Sequence, residues 1–514
     1  MAKILFIYPY AESSFGRQSI PLALIYSILK RNGHECEIFD TTFLDNSLLL
    51  SQRPNHDSEL VRKNFFSHWD DEIFVKNKQS GNIFSLLQDK INLFQPDLLT
   101  FSFWGSHLHA EGEYYSFHNG LKLINNVEIN EGCQVVVGGT IPSSDPSRVL
   151  KLYPKIDYVL KGEPELVYAD IAKSLDEKKS LKSIENLNYL ENKVLISNKL
   201  RPLIDPLDQL PDVKMDIFDN KNFIRPFNGE IVRMADFELS RGCWYRCTFC
   251  LSPFQREETY KKAKNFRREK SIEKIIREIS SLKKNHNLEY IRYQDESFNS
   301  IKEEKLKDLS KEYKSKVNLP FVIEATINTS TENRIKYLAE MGCVQVGLGI
   351  ESGSQRVRDE VIIKPKFKNE QAIEVIDCYK KYNIDVTAYN IIGFPSETKN
   401  EIFETVDINR KTKPTRFTVS YFQPWEGTAL KKSSIEKGYL DKKYQFDDGL
   451  NLGQQGGSLL KLDTISKNDL INFHDFFYYY VNTPKSLQIV LFYLIKSAFL
   501  KKIAIKCLDY FIKK

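Results

Sequence analysis

The segment SRGCWYRCTFC sets Cys243, Cys247 and Cys250 at the spacing C-x3-C-x2-C. Thiolates this close in sequence can converge on one soft metal centre from a single loop. Their number matters as much as their spacing. A four-iron cluster with three protein thiolates leaves one iron open to an exogenous ligand, as an open coordination position marks a catalytic metal site. The fourth Cys of an electron-carrying ferredoxin is absent nearby, and no His or Cys follows within the next thirty residues to complete a zinc knuckle.

The elements that must position this loop read as alternating strands and helices. Strands are expected at MADFELS, LEYIRYQ, PFVIEA, VQVGLGI, IDVTAYNII and RFTVSYF, with helices near 271–285, 301–316, 331–341, 369–382 and 397–410. Six β/α units make three-quarters of an eight-stranded barrel, whose chemistry sits on loops at the C-terminal strand ends. Polar clusters fall at those ends: Asp295 and Glu296; Glu324, Thr326 and Asn328; Gly349, Glu351, Ser352 and Gly353; Asn390, Gly393, Pro395 and Glu397; Pro424, Gly427 and Thr428. Any one alone reads as a capped turn. Six in order, counting the Cys loop, share one barrel face.

With Phe249 just before the last Cys, the chain resembles the radical S-adenosylmethionine (SAM) superfamily. The resemblance implies that the open iron of a [4Fe-4S] cluster chelates the amino and carboxylate groups of SAM, and that Phe249 packs near adenine. An electron from the cluster would break the sulfonium C–S bond, giving methionine and a 5′-deoxyadenosyl radical. It further implies SAM-binding loops: Asp295 near the methionine amino group, Glu324, Glu351 near ribose or carboxylate, and Asn390 and Gly393 near adenine. The chain departs from related sequences at Thr326, where an Arg is common.

Upstream, KILFIY, a helix near 20–32, ECEIFD, LLTFSF, QVVVGG and DYVLKG form a doubly wound α/β pattern, interrupted at 44–95 by an insertion read as helical. This region resembles the cobalamin-binding domain that precedes the barrel in one radical SAM class. The resemblance rests on the first loop through Ser13, Ser14 and Gly16, on PDLLTFSF, and on VVVGGTIPSSDP followed by DYVLKGEPE. It implies a cobalamin site at the carboxyl edge of the sheet, formed by Ser14, Gly16, Ser102, Gly138, Gly139, Thr140, Gly162 and Glu163. No D-x-H-x-x-G motif occurs, so cobalt is expected without a His ligand from this domain. His34, His107, His109 and His118 lie outside such a context. A cofactor-free domain retained for packing is the alternative.

The expected organisation is therefore α/β throughout: residues 1–165 a doubly wound (Rossmann-like) B12-binding-like domain, 166–230 a Pro-marked connector of short helices and loops, 231–430 a partial (β/α)6 TIM-type radical SAM barrel, and 431–514 a helical C-terminal region. Hydrophobic content of 41% and aromatic content of 12% fit a folded globular chain. A net charge of +6 over 514 residues gives no sign of a nucleic-acid partner. MAKILFIYPY reads as a first strand and not a signal peptide, which points to the cytoplasm. There, Cys36, Cys133, Cys343, Cys378 and Cys507 are expected as small buried hydrophobes. The stretch 487–514 is amphipathic and basic, read as a packed terminal hairpin with peripheral membrane contact as the alternative. FFYYY at 476–480 reads as helix core, with a substrate-lining role as the alternative.

The leading functional expectation is a cobalamin-dependent radical SAM methyltransferase. By resemblance, the adenosyl radical abstracts hydrogen from an unactivated carbon of a small-molecule or biosynthetic substrate, and methylcobalamin delivers the methyl group. A flavodoxin or ferredoxin would supply electrons. The alternatives are a radical cyclase or rearrangement enzyme without net methyl transfer, and a cluster-bearing electron carrier or assembly protein that never turns SAM over.

Overall fold

The computed structural model describes residues 1–10, 18–45, 47–49, 79–103, 110–261, 263–444, 457–497 and five positions between 500 and 508. The chain divides into two compact units, Met1–Trp244 with Leu251–Glu296 and Lys311–Phe321, and Tyr245–Cys250 with Ser297–Ser310 and Val322–Lys514.

In the first unit β1 (Lys3–Tyr8), α1 (Ile20–Arg31), β2 (Glu35–Asp40), α2 (Ile83–Phe94), β3 (Leu98–Phe101), α3 (Ala110–Asn125), β4 (Gln134–Val137), α4 (Thr140–Ser144), α5 (Pro146–Leu152) and β5 (Tyr158–Leu160) alternate. The five strands are parallel, in the order β2-β1-β3-β4-β5. Ile4 through Tyr8 are all buried, as a parallel strand covered on both faces requires. Ser19 caps α1 by accepting from the Leu22 N–H, and Pro21 sits in the first turn. The strand order reverses between β1 and β3, which puts the ligand crevice of such a sheet at their carboxyl ends. Of the insertion expected to be helical, residues 83–94 are α2, while 51–78 lie outside the described residues.

After α6 (Glu165–Asp176), the stretch expected to be short helices and loops instead gives a hairpin, β6 (Leu187–Glu191) and β7 (Val194–Ser197), that extends the sheet antiparallel to β5. Its turn, Asn192–Lys193, holds both residues at positive φ, 49° and 65°. Lys stands where a Gly usually marks this turn, which hid the hairpin from sequence reading. A plainer Asn228–Gly229 turn joins β8 (Ile224–Phe227) to β9 (Glu230–Phe237). Then come the short antiparallel pair β10 (Ser240–Arg241) and β11 (Arg268–Glu269), the helix α7 (Ile272–His286), and β12 (Tyr290–Tyr293), which runs parallel to β9.

Helix α8 (Glu303–Lys316) follows. The second unit carries β13 (Phe321–Ala325) from Val322 onward, α9 (Glu332–Met341), β14 (Cys343–Glu351), α10 (Asn369–Lys381), β15 (Asp385–Ile392), α11 (Lys399–Thr412) and β16 (Arg416–Tyr421), with strand order β13-β14-β15-β16. Thr398 and Glu401 close a capping box on α11. Ile323, Val346, Leu348, Ile350, Val386 and Ile392 of these strands are buried. The β/α alternation expected of the barrel is present in both units, with β9 and β12 in the first and β14 to β16 in the second. The C-terminal region is helical: α12 (Ala429–Glu436), α13 (Lys467–Asn482) and α14 (Lys485–Leu494). The aromatic run lies in α13, where Phe476, Phe477, Tyr479 and Tyr480 are buried; it packs as core. No helix among the described residues is long and apolar enough to cross a membrane.

Candidate active site

The chain enters the Cys loop from β10, and Asp295 fixes that entry. Its buried carboxylate accepts from the Leu239 N–H at 3.0 Å, the Ser240 N–H at 2.6 Å and the Ser240 hydroxyl. Burial pushes this carboxyl up to about 6, against the hydrogen bonds that favour its charge. Asp295 is thus a brace of the strand end that launches the loop. At Gly242, φ is +86° and a Cβ would meet the Phe266 carbonyl oxygen at 2.3 Å, so only Gly fits. The carbonyls of Cys243 and Trp244 then accept from Arg256 Nη1 at 3.2 and 2.7 Å.

The rest of the loop belongs to the second unit. The Cys250 N–H donates to the Cys247 carbonyl at 3.1 Å, and Thr248 anchors the turn by donating from N to Ile362 O (2.9 Å) and from Oγ1 to Val361 O (2.8 Å). Phe249 packs against Phe394, ring centroids 6.1 Å apart, which ties the aromatic residue of the motif to the Gly393 loop. Burial pushes the Cys247 thiol up to about 12, and the Lys364 cation works in the opposite direction. Cys243, Cys247 and Cys250 are each partly exposed, as ligands to an exchangeable group must be. No set of three His, Cys, Asp or Glu side chains among the described residues stands in metal-ligating geometry. The cluster assignment accordingly rests on donor chemistry and spacing.

Lys364 is a site residue without a sequence signal, one of three lysines in IIKPKFKNE. It is buried and donates to Glu351 Oε1 at 3.0 Å. Burial opposes its charge, but Glu351 and the Cys247 and Cys250 sulfurs outweigh that and hold its pKa above the usual lysine value. Glu351 itself sits at φ 63°, a left-handed conformation that a β-carbon residue adopts at a cost. Room for the pair comes from Gly349, where a Cβ would lie 2.2 Å from Glu351 Oε1 and 2.9 Å from Lys364 Nζ. Glu351, Lys364, Cys247 and Cys250 therefore form one electrostatic group.

The other predicted SAM-loop residues divide. Glu324 accepts from the Tyr389 hydroxyl at 3.2 Å and lies over Gly347. Asn390 exchanges hydrogen bonds with Asn409 and donates to Thr418 O at 2.9 Å, so it ties β15 to α11 and β16. Gly393, at φ +81°, donates its N–H at 2.6 Å to Glu397, which also accepts from the Phe394 N–H at 3.2 Å. Glu397 is fully buried, and burial pushes its carboxyl up to about 8.

A cleft opens within the first unit at the carboxyl ends of β3, β4 and β5. Ser102, Gly138, Gly139, Thr140, Gly162 and Glu163 all line it. Ser102 is fully buried at φ 65°, and its hydroxyl has no hydrogen-bond partner among the described residues. A buried hydroxyl left without a partner costs stability, so its place on the cleft wall makes Ser102 a candidate ligand contact. Gly162, at φ +94°, leaves space where a Cβ would lie 2.7 Å from the Tyr260 hydroxyl. Glu163 is engaged within the protein: its carboxylate takes Arg268 Nη1 at 3.0 Å, Arg241 Nη1 at 3.4 Å and the Ile204 N–H at 2.9 Å. Burial raises its pKa, but the two guanidinium groups win and hold it low. Ser13, Ser14 and Gly16 lie outside the described residues, as do His107, His109 and Cys507. Burial pushes the His118 imidazole down to about 3, which keeps it neutral. Of the cysteines expected to be buried, Cys343 is, while Cys36, Cys133 and Cys378 are half-buried; burial raises the thiol pKa of all four.

Comparison with known proteins agrees with this geometry. Residues 237–408 match the model of the radical SAM superfamily. An uncharacterized methyltransferase of Pyrococcus horikoshii is 28% identical over 358 residues, 70% of this chain and 73% of that protein. Among solved structures, the radical SAM methyltransferase TsrM of Kitasatospora setae, with cobalamin and a [4Fe-4S] cluster bound, superposes with a TM-score of 0.61 at 16% identity, covering 85% of this chain and 78% of that one. The cobalamin-dependent radical SAM enzyme OxsB, with aqua-cobalamin bound, gives 0.64 at 14% identity over 99% of this chain and 75% of that one. Residues 237–408 thus match the radical SAM model, and the chain shares the fold of the cobalamin-bound TsrM and OxsB structures.

Proposed function

We propose that this protein is a cobalamin-dependent radical SAM methyltransferase that methylates an unactivated carbon of a small-molecule substrate. The observation that carries the reading is the cleft at the carboxyl edge of the first unit's sheet, with its orphaned Ser102 hydroxyl and glycine walls, in a chain that also bears the three-cysteine loop. The name of the Pyrococcus relative supports methyl transfer, and the two solved enzymes support the pairing of cobalamin with a cluster.

In this reading Cys243, Cys247 and Cys250 hold a [4Fe-4S] cluster. Lys364 would supply a cation for the carboxylate of SAM, and Phe249 with the Gly393 loop would wall the adenine. Ser102, Gly138, Gly139, Thr140 and Gly162 receive the corrin or its nucleotide tail. When bound, the cofactors supply reductive C–S cleavage and methyl carriage, which no side chain can perform. The protein contributes position and charge. Asp295 and Arg256 set the two ends of the loop segment from which Cys243 projects. Lys364 neutralises negative charge beside Cys247 and Cys250, and Glu351 keeps that cation in place. Glu397 shapes the Gly393 turn through two backbone N–H groups, so the loop keeps its form without a ligand. A flavodoxin or ferredoxin supplies the electrons.

The test is anaerobic reconstitution with iron, sulfide and hydroxocobalamin, followed by methyl-labelled SAM and mass spectrometry of products. Retained cobalamin and label on an acceptor heavier by one methylene support the reading. 5′-Deoxyadenosine with an acceptor of unchanged or lower mass favours rearrangement. No SAM cleavage at all returns the chain to an electron carrier.

A further inference from the structure

Helix α14 carries Lys485 and Ser486 in its first turn and is apolar from Leu487 onward except for the buried Gln488. Gln488, Leu491, Phe492 and Ile495 are buried against the second unit, where Phe492 meets Phe473 and Phe403 at centroid distances of 5.1 and 6.0 Å. Leu487, Ile489, Val490, Tyr493 and Leu494 face outward, with Ile489 60% and Tyr493 66% exposed. At 3.6 residues per turn these five cover a continuous arc of roughly 160°. Surface hydrophobes are normally scattered singly. Here, of the eight exposed large hydrophobes among the described residues of the second unit, seven fall between Leu487 and Ile503, and Ile363 is the eighth. A contiguous exposed apolar face of this kind marks a contact with a partner or a membrane.

The charges beside this face select between coverings. Lys485 and Lys496 stand at the two ends of α14. Together with Lys399, Arg410 and Lys411 they crowd onto two carboxylates, Asp407 and Asp469. Five cations on two anions leave the collar net positive. The chain beyond Lys496 adds Lys501, Lys502, Lys506, Lys513 and Lys514 against the single acid Asp509. An apolar stripe inside a basic collar complements an anionic bilayer surface: acyl chains take the stripe and headgroups take the lysines.

We propose that the outer face of α14 seats this enzyme on the surface of an anionic membrane, lying in the interface and not crossing it. The seat needs none of the cysteine chemistry and stands apart from the methyltransferase reading. It is tested by floating the full-length reconstituted protein with vesicles of phosphatidylcholine alone or with ~30% phosphatidylglycerol. Binding to the anionic vesicles only, weakened in about 0.5 M NaCl, is expected. The pair Ile489→Glu and Tyr493→Glu should cut binding at least about tenfold while melting temperature and 5′-deoxyadenosine formation stay unchanged. Flotation that is absent, or equal for wild type and variant, overturns the proposal. So does a solution dimer that the same pair of substitutions dissolves, since a second copy would then cover the face.

Discussion

Replacing Glu397 by Gln should stabilise the protein at neutral pH, although Glu397 anchors a turn of the active-site region. The wild-type carboxyl is fully buried, accepts from the Gly393 and Phe394 N–H groups through Oε2, and leaves Oε1 without a partner. Burial is the largest influence and raises the carboxyl from 4.5 to about 8. The folded state therefore binds a proton that the unfolded chain has released by pH 7. For an acid raised on folding, the stability contribution is complete below the unfolded value and is lost as pH climbs through the folded one. At 1.36 kcal/mol per unit, the 2.5 units from 4.5 to pH 7 remove about 3 kcal/mol. Gln presents the same accepting oxygen and never ionises. E397Q should match wild type near pH 4.5 and exceed it by about 3 kcal/mol at pH 7, a rise of roughly 6–12 °C in melting temperature for a unit of this size. Thermal melts of both proteins at half-unit steps from pH 5 to 9 read the effect. A wild-type minus E397Q difference that stays flat across that range, or a variant less stable at pH 8, refutes the reasoning.

Lys364→Met should leave iron content near wild type and weaken SAM binding at least about tenfold, since it strands Glu351 and removes the cation beside Cys247 and Cys250; calorimetric SAM titration reads it. Gly162→Val sets a side chain 2.7 Å from the Tyr260 hydroxyl at a φ of +94°. It should cost about 1–3 kcal/mol and lower cobalamin retained after reconstitution, measured by absorbance. Arg225→Met breaks a pair with Asp236 in which both side chains are almost wholly buried. A loss of about 3–5 kcal/mol is expected in denaturant unfolding.

Much of this architecture is legible in the sequence because period and punctuation agree. Strands such as VQVGLGI and IDVTAYNII are marked off by Gly342 closing the helix before them and the Thr398–Glu401 capping box opening the helix after them, and the polar clusters fall where barrel chemistry sits. What escaped reading depends on tertiary context. Lys364 looks like its solvated neighbours until folding buries it beside Glu351. Asp295 and Asn390 stand at the right strand ends, yet their hydrogen bonds go to the backbone and to Asn409, which no spacing reveals. Glu163 lines the cleft, but its charge answers Arg241 and Arg268, brought in from sites far along the chain. The β6–β7 hairpin hides because its left-handed turn is built from Asn and Lys and not from Gly.

The central claim is that three thiolates on one loop hold a cluster with an open iron that presents SAM for cleavage. Its most direct measurement is 5′-deoxyadenosine released by dithionite-reduced, reconstituted protein, with visible absorbance followed in parallel, for wild type and for the triple replacement of Cys243, Cys247 and Cys250 by Ala. The account predicts a brown, SAM-cleaving wild type and a colourless, inert variant. Undiminished colour and cleavage in the variant would contradict it.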